Sequence, residues 1–219
     1  MSNSALREIS RQAARQRICE IAEEFFATRG YDVTTVQDIA HAAGISERTF
    51  FRYFSSKDEV LFQRFEVETR GLVDAIQARP AGEAPWPTLQ HALESALDDL
   101  DHESATERAA LFRRITETSP HVLALYFARV DAFQRELSEA LWARWIANHG
   151  PDPDTRVILR ALVSAIFSVL NEVELAAQAL PHAERRRMIR TALDAVRPAR
   201  DDIGGPDECA RRAGASSLR

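Results

Sequence analysis

The sequence predicts an all-α protein of about nine helices, and three observations lead to this fold class. Apolar residues recur three or four positions apart along nearly the whole chain, which is the spacing of one helix face. No run of alternating β-branched residues is long enough to indicate a strand. Ser, Thr or Asp precedes most of the periodic segments, and Gly or Pro follows them, as is typical of helix starts and ends.

The first helix presents an apolar face and ends at Gly30. Glycine at this point is typical of a helix C-terminus, because it adopts the left-handed conformation without strain. The face consists of Ile18, Ile21, Ala22 and Phe25. Four arginines of this region could extend as an arm towards DNA, or could belong to a solvated helix start: Arg7, Arg11, Arg15 and Arg17.

Two short helices follow. Thr34 or Thr35 can cap the second helix, since an acid or amide side chain lies three residues after each, the capping-box spacing. Gly44 ends that helix in a tight turn. Ser46 then caps a third helix over 47–54. Two short helices joined by a glycine turn are the parts of a helix-turn-helix.

The remaining helices are longer. Ser56 caps a fourth, which begins at Lys57 and stops before 80–87, a Pro/Gly-rich segment that is the clearest internal boundary. A section of the penultimate helix, 161–170, is apolar on nearly every side and must be covered on two faces. Further helices are predicted at about 89–100, 109–119, 121–148, 154–179 and 182–197.

Composition excludes several classes of protein. With 219 residues, of which 45% are hydrophobic, the chain can form a substantial core. We find neither an uncharged stretch long enough to cross a membrane nor a secretory signal, so we expect a cytoplasmic protein. The two cysteines, Cys19 and Cys209, are too few for a zinc finger and poorly placed for a disulfide.

The third helix has an outward face suited to DNA. If Phe50 and Phe54 face the core, Arg48 and Arg52 lie on the opposite side, one turn apart. Two guanidinium groups so placed fit the donor and acceptor pattern of a major groove. The alternative is the solvated face of an ordinary short helix. The caps and the glycine turn favour the helix-turn-helix.

The segment TVQDIAHAAGISERTFFRYFSSKDEVL resembles the tetracycline-repressor (TetR) family of bacterial regulators, and the likeness covers roughly 18–62. The resemblance implies a three-helix DNA-binding domain followed by a helical ligand-binding and dimerisation domain. It also implies DNA contacts, as helix caps, near base edges or at phosphates, from Thr35, Ser46, Glu47, Arg48, Thr49, Arg52, Tyr53 and Lys57.

One residue departs from the family pattern. Phe51 stands where the family usually has a tyrosine whose hydroxyl bonds a phosphate, and phenylalanine cannot make that bond. The TFFRYF variant is similar to regulators associated with mycofactocin gene clusters, some of which are thought to sense acyl-CoA esters. Independently of this narrower resemblance, we expect a small, mostly apolar effector that binds among the helices after Trp86, an acyl thioester or an aromatic metabolite.

We find no catalytic, metal or nucleotide motif: the histidines are scattered singly, and no glycine pattern for a phosphate occurs. We therefore expect neither enzyme activity nor a cofactor. An effector would bind on helices that in the family surround a cavity, although most of the residues concerned could equally be plain core. These residues are Phe65, Leu93, Leu97, Phe112, Tyr126, Phe167 and Asn171.

These observations favour a homodimeric, ligand-responsive transcriptional repressor that binds a palindromic DNA operator. We expect a DNA-binding domain at 1–56, an effector and dimer domain at 57–197, and a disordered tail at 198–219. The dimer would form through 154–179 and 182–197. The alternatives are a helical small-molecule binding protein or enzyme with a non-functional helix-turn-helix, and a purely architectural DNA binder.

Overall fold

The computed structural model describes residues 3–99, 103–177 and 180–198, and the predicted all-α fold is confirmed. These residues contain no strand. The predicted tail beyond residue 198 lies outside the described residues, as does Cys209. The helices are α1 Asn3–Thr28, α2 Val36–Ala42, α3 Glu47–Tyr53, α4 Lys57–Ala78, α5 Pro85–Asp99, α6 Glu103–Thr118, α7 Pro120–His149, α8 Pro153–Ala176 and α9 His182–Ala195.

Three helices begin at a proline that the sequence pattern had placed outside them. They are α5 at Pro85, α7 at Pro120 and α8 at Pro153. Proline is suited to the first position of a helix, because its missing N–H would have had no partner there and its φ angle is already helical. The break predicted at 80–87 is therefore shorter than expected, because residues 79–84 lie between α4 and α5 and residues 85–87 already belong to α5. Its Trp86 is 1% exposed in the first turn of α5.

The chain forms two compact units. Of the residues that the structure describes, 3–68 and 103–128 form the first unit, and 69–99, 129–177 and 180–198 form the second. Both α4 and α7 therefore have their first part in one unit and their second part in the other. The functional domains expected from the sequence have different bounds, and those bounds stay a prediction.

The first unit has a core to which six helices contribute. Side chains of α6 and α7 complete a core that begins with the three N-terminal helices. The first unit, which we call the head of the protein, therefore includes more than the helix-turn-helix. Each large apolar side chain buried in this way contributes about 1.5 to 3 kcal/mol. The core includes Ile18, Ile21, Phe26, Ile39, Phe50, Phe54, Phe62, Ile115 and Val122.

In the second unit α8 packs on α9 through an apolar face. The end of α7 fastens the turn that follows α4, because the Arg144 guanidinium donates to the carbonyl oxygen of Arg79 at 2.8 Å. The buried apolar residues of α8 and α9 are Leu159, Leu162, Val163, Ile166, Val173, Ile189 and Leu193. Within the described ranges, every helix is too short or too polar to span a bilayer.

Candidate nucleic-acid interface

The start of α2 is fixed by a complete capping box. Of the two candidates, Thr35 is the cap: its hydroxyl oxygen accepts from the Asp38 N–H at 3.1 Å, and the Thr35 N–H donates to the Asp38 carboxylate at 2.9 Å. Hydrogen bonds from Thr35 lower the pKa of Asp38. Thr34 is instead buried and donates to the carbonyl oxygen of Gly30 at 2.7 Å. The cap leaves Thr35 exposed at the protein surface.

The turn between α2 and α3 is built from backbone contacts. Gly44 adopts φ +68°, a left-handed conformation that favours glycine. The Ile45 N–H then donates to the Ala40 carbonyl oxygen at 3.0 Å, and the Ile45 side chain packs against the core of the first unit. Ser46 caps α3 by accepting from the Thr49 N–H at 3.1 Å. These contacts fix the direction in which α3 leaves the turn.

One face of α3 is buried and the other is open to solvent. Phe50 is 0% exposed and Phe54, directly after the helix, is 1% exposed. The exposed side chains of α3 are Glu47, Arg48, Phe51 and Arg52. Arg48 and Arg52 are thus on the side where the helical wheel places them. Because every other long side chain of the helix is buried or half-buried, this face is the surface that a DNA groove could meet.

Arg52 and Tyr53, which are neighbours on α3, interact through their side chains. The Arg52 guanidinium carbon lies 5.2 Å from the centre of the Tyr53 ring, a cation–π distance. Its terminal nitrogen is 3.5 Å from the Tyr53 hydroxyl. Tyr53 is half-buried, so its ring gives the Arg52 side chain a fixed support at the surface.

Lys57 has internal partners. Its ammonium donates to the carbonyl oxygens of Tyr31 at 2.7 Å and Thr34 at 3.0 Å, and it lies 4.2 Å from the centre of the Tyr31 ring. Burial lowers the pKa of this lysine. Lys57 therefore fastens the loop that precedes α2. The phosphate contact implied by the family resemblance stays a prediction, and it requires the ammonium to leave these carbonyls.

The neighbouring Asp58 links the same loop to the start of α7. Its carboxylate accepts a hydrogen bond from the Tyr31 hydroxyl. The other carboxylate oxygen is 3.2 Å from Nε2 of His121, in the first turn of α7. The loop before α2 is thus joined to α4 and α7 by side chains that the sequence did not single out. Asp58 is 27 residues from Tyr31 and 63 residues from His121 along the chain, so no local sequence pattern could reveal these contacts.

The N-terminal arginines do not form an arm as far as the structure describes them. From Asn3 onwards the segment is part of α1. Arg15 is half-buried: it donates to the Tyr53 carbonyl oxygen and the Gln63 side chain, and its guanidinium lies 4.1 Å from the centre of the Phe54 ring. Arg15 therefore supports α3 from inside. Arg7, Arg11 and Arg17 are exposed on the helix.

Three of the seven candidate effector residues form one cluster in the first unit. The Tyr126 ring lies edge-on to Phe65 at 6.2 Å and to Phe112 at 5.6 Å between centres. In the second unit Leu93 is buried, Phe167 lies edge-on to Phe133, and Asn171 is exposed. The side chain of Leu97 is outside the described part of the chain. The two groups belong to different units.

The second unit has a small pocket that these candidates do not line. It lies where the turn after α4 meets the end of α7, among Glu83, Thr88, Arg144 and Trp145. Hydrogen bonds from Arg79 lower the pKa of Glu83 to about 2. The pocket holds about 50 Å³. Pockets for drug-sized ligands hold roughly 300 to 1,000 Å³, so this one fits a few water molecules.

Metal-binding groups are not assembled in the described residues. No three His, Cys, Asp or Glu side chains of residues 3–99, 103–177 and 180–198 lie close enough together to hold an ion. Cys19 is half-buried on α1, and burial raises its pKa to about 12. A thiol with such a pKa is protonated and unreactive at neutral pH.

Comparison with known proteins identifies the helix-turn-helix segment as part of a known family. Residues 18–63 match the family model described as bacterial regulatory proteins, tetR family. The helix-turn-helix transcriptional regulator TcmR of Streptomyces glaucescens is 32% identical over 172 residues, which cover 77% of this chain and 74% of TcmR. The likeness therefore extends well beyond the DNA-binding segment.

Two further comparisons also find transcriptional regulators. MftR of Mycobacterium tuberculosis, named as a regulator of mycofactocin biosynthesis, is 33% identical over 139 residues, covering 61% of this chain and 66% of MftR. The crystal structure of Thermus thermophilus FadR, a repressor solved with lauroyl-CoA, superposes with a TM-score of 0.53 at 22% identity, over 87% of this chain and 99% of that one. At this identity the superposition shows the fold.

Proposed function

Since the chain belongs to the TetR family of bacterial regulatory proteins, we propose that it is a ligand-responsive repressor that binds a palindromic operator as a dimer. A small, mostly apolar effector would release it from DNA. The chain is a transcriptional regulator and not an enzyme, in line with the relatives of this family. A regulator of this kind works where the chromosome is, so the proposal includes a cytoplasmic location.

The exposed face of α3 supports the DNA-binding part of the proposal. Arg48 and Arg52 are exposed one helical turn apart, on a helix whose opposite side buries Phe50. Arginine forks bind the two acceptors of guanine in the major groove. Both helices of the motif have hydrogen-bonded caps. A helix-turn-helix that had lost its function would be under no requirement to keep these features together.

Selection of bound fragments from a random duplex pool tests this proposal. With the purified full-length chain we expect a palindromic consensus whose half-sites are about one helical turn, or a multiple of it, apart. Arg48→Ala, selected in parallel, is the control that connects the consensus to α3. An unenriched pool with the parent chain would favour the alternative, a helical binding protein whose helix-turn-helix is inactive.

The exposed face of α8 supports the dimer. Val157, Ala161, Ser168 and Leu175 follow one another one or two turns apart along this face, with the exposed Glu172 beside the row, and its two ends expose large apolar side chains: Val157 is 69% and Leu175 is 56% exposed. Small side chains, Ala161 and Ser168, are exposed between them. A row of apolar and small side chains with large apolar ends is suited to burial against a second helix. We propose that the partner is the same face of a second copy, as a two-fold interface requires.

The proposed effector is an acyl thioester or an aromatic molecule. FadR, which shares the fold, was crystallised with lauroyl-CoA, and this chain has an aromatic cluster of Phe65, Phe112 and Tyr126 in the first unit. Leu93 and Phe167 remain candidates in the second unit, with Leu97, and Asn171 as a polar handle. The proposed place in the mycofactocin subgroup has the partial likeness to MftR in its favour.

The proposed coupling runs along α4 and α7. Each of these helices belongs to the first unit in its N-terminal part and to the second in its C-terminal part. A ligand that shifts either helix acts on the loop before α2 through Lys57 and Asp58. An effector changes operator affinity only by its different affinity for the two states, and a coupling of about 1 to 3 kcal/mol corresponds to a loss of roughly 5- to 150-fold.

Thermal-shift screening against acyl-CoA esters and aromatic acids tests the effector. We expect a hit to raise the melting temperature and to weaken operator binding in a titration with the same ligand. Phe112→Leu keeps the core filled while it removes one ring of the cluster, and it should weaken the ligand without unfolding the protein. A ligand that stabilises the chain and leaves operator affinity unchanged would contradict the coupling.

A further inference from the structure

Phe51 is the one large apolar side chain that α3 leaves exposed. It is 52% exposed, whereas Phe50 next to it is 0% exposed and Phe54 one turn later is 1% exposed. An exposed aromatic ring keeps a large apolar area in contact with water, and this area contributes free energy only when a partner covers it. Phe50 and Phe54 belong to the core of the first unit and Phe51 does not, so its partner is not part of this core.

The Phe51 ring has a fixed support. It stands edge-on to the Phe50 ring, with 5.6 Å between centres and 88° between planes. Edge-to-face contact is a preferred geometry of aromatic pairs. Since Phe50 is fully buried, it holds the neighbouring ring against the helix. Phe51 therefore presents an apolar edge at a set position, which is what a specific contact requires.

The neighbours of Phe51 identify the surface that would cover it. Glu47 and Phe51 are four residues apart on α3, as are Arg48 and Arg52, and all four side chains are exposed. Residues four apart lie one above the other on a helix. A second protein with an apolar surface would have to bury two arginines and a glutamate beside the ring. A DNA groove accepts all of these groups, because base edges offer donors, acceptors and methyl groups side by side.

We propose that Phe51 determines operator specificity by contacting the 5-methyl group of a thymine in the major groove. This inference rests on the proposed function, since it assigns a base preference to the same helix. The thymine methyl is the apolar feature of the major-groove edge, and phenylalanine is among the side chains that contact it. A phenylalanine has no hydroxyl with which to bond a phosphate, so its contribution is an apolar contact.

Replacing thymine by uracil tests the contact at a single methyl group. Each thymine of the selected operator is changed in turn to deoxyuridine, which removes the methyl and leaves the base pair intact. Burial of one methyl group corresponds to about a fourfold change in affinity. We expect the parent chain to lose about that factor at one thymine in each half-site. Phe51→Ala should bind the methylated and unmethylated operators alike, so the two changes should not add.

Two control variants separate the ring from a general effect on the head. Phe51→Tyr keeps the ring and should keep the sensitivity to the methyl group. Val33→Ala removes an apolar side chain that is 68% exposed in the loop before α2, and it should leave the sensitivity unchanged. Circular dichroism and melting temperature of each variant establish that it is folded. Phe51→Leu is a second variant without the ring, beside Phe51→Ala, and it preserves the helix packing.

The outcomes separate this inference from the proposed function. If the parent chain selects an operator but no thymine shows sensitivity, or if Phe51→Ala and Phe51→Leu retain the full sensitivity, the thymine contact is wrong while DNA binding stands. An operator without thymine in its half-sites has the same meaning. If the parent chain selects no sequence, the proposed function fails first.

Discussion

The outer faces of α3 and α8 differ in a way that corresponds to two kinds of partner. On α3 the exposed side chains include Glu47, Arg48 and Arg52, set on a short helix held by caps and a buried opposite face. On α8 the exposed row of Val157, Ala161, Ser168 and Leu175 consists of apolar and small side chains and spans most of a 24-residue helix, with the exposed Glu172 at its edge. A face rich in charge on a short helix suits a nucleic acid, whereas a long row of apolar and small side chains suits another protein surface.

Charging the α8 face should have the largest effect. The double change Val157→Glu and Leu175→Glu places four carboxylates in a two-fold interface, so we expect monomers in equilibrium sedimentation. Because the two heads of a dimer bind their half-sites together, loss of the dimer should weaken operator binding by about 10² to 10⁴-fold. Both side chains are exposed in the single chain, and we therefore expect the protein to stay folded.

Ala132→Glu supplies the matched control, because it adds a carboxylate at an exposed alanine of α7. This variant should sediment like the parent chain. If the double variant also remains a dimer at micromolar concentration, the α8 face is not the interface. Leu193, by contrast, is 6% exposed within the unit, so a charge there would unfold the chain rather than test the dimer.

Arg48→Ala and Arg52→Ala should each weaken specific binding by about 1 to 3 kcal/mol and leave the melting temperature unchanged. Both side chains are exposed, so their removal leaves no cavity. Titration of the selected operator against a scrambled duplex measures the change. An Arg48→Ala variant that binds its operator as tightly as the parent chain would remove α3 from the interface.

Lys57→Ala tests whether a basic residue that has internal partners acts differently from Arg48 and Arg52, which are exposed on α3. Since its ammonium donates to the carbonyls of Tyr31 and Thr34, we expect a loss of about 1.5 kcal/mol in the free energy of unfolding, the size usual for hydrogen bonds to charged groups. If the ammonium keeps these partners in the complex, the salt dependence of DNA binding stays the same. A salt slope lower by about one would show instead that Lys57 contacts a phosphate in the complex.

Thr35→Ala should have the smallest effect, a loss of about 1 kcal/mol in the free energy of unfolding from the missing cap of α2. Hydrogen bonds from Thr35 lower the pKa of Asp38 in the folded chain. Their stabilisation is therefore present above the ordinary pKa of an aspartate and is lost as the pH falls towards the lowered value. The difference in melting temperature between parent and variant should shrink over that acidic range. A difference that is constant with pH would contradict the role of Asp38.

Features set by neighbouring residues were predictable from the sequence. Ser46 three residues before Thr49, Gly30 after the last turn of α1 and Gly44 between α2 and α3 are local signals, and the structure has a cap or a left-handed turn at each. The outward direction of Arg48 and Arg52 followed from the helical period alone, once Phe50 was assigned to the core.

Features that depend on distant contacts were not predictable. Arg15 and Lys57 are an arginine and a lysine near a DNA-binding motif, and nothing local shows that both have partners 23 to 48 residues away within the head. Likewise the apolar faces of α6 and α7 predict burial but not what covers them, so their place in the first unit came only from the structure. The helix-starting prolines were misplaced because the same residue also ends helices.

The contacts of Lys57 have a practical consequence, because this residue is the single lysine of the chain. A protease that cleaves only after lysine has one target, the 57–58 bond at the first turn of α4, behind the loop that the ammonium fastens. Cleavage requires the chain to fit an extended protease cleft, so the helix must open locally first. The rate of this single cleavage, measured on a gel as the appearance of two fragments, therefore reports how often the DNA-binding head opens locally. The same rate can be measured with operator or effector added.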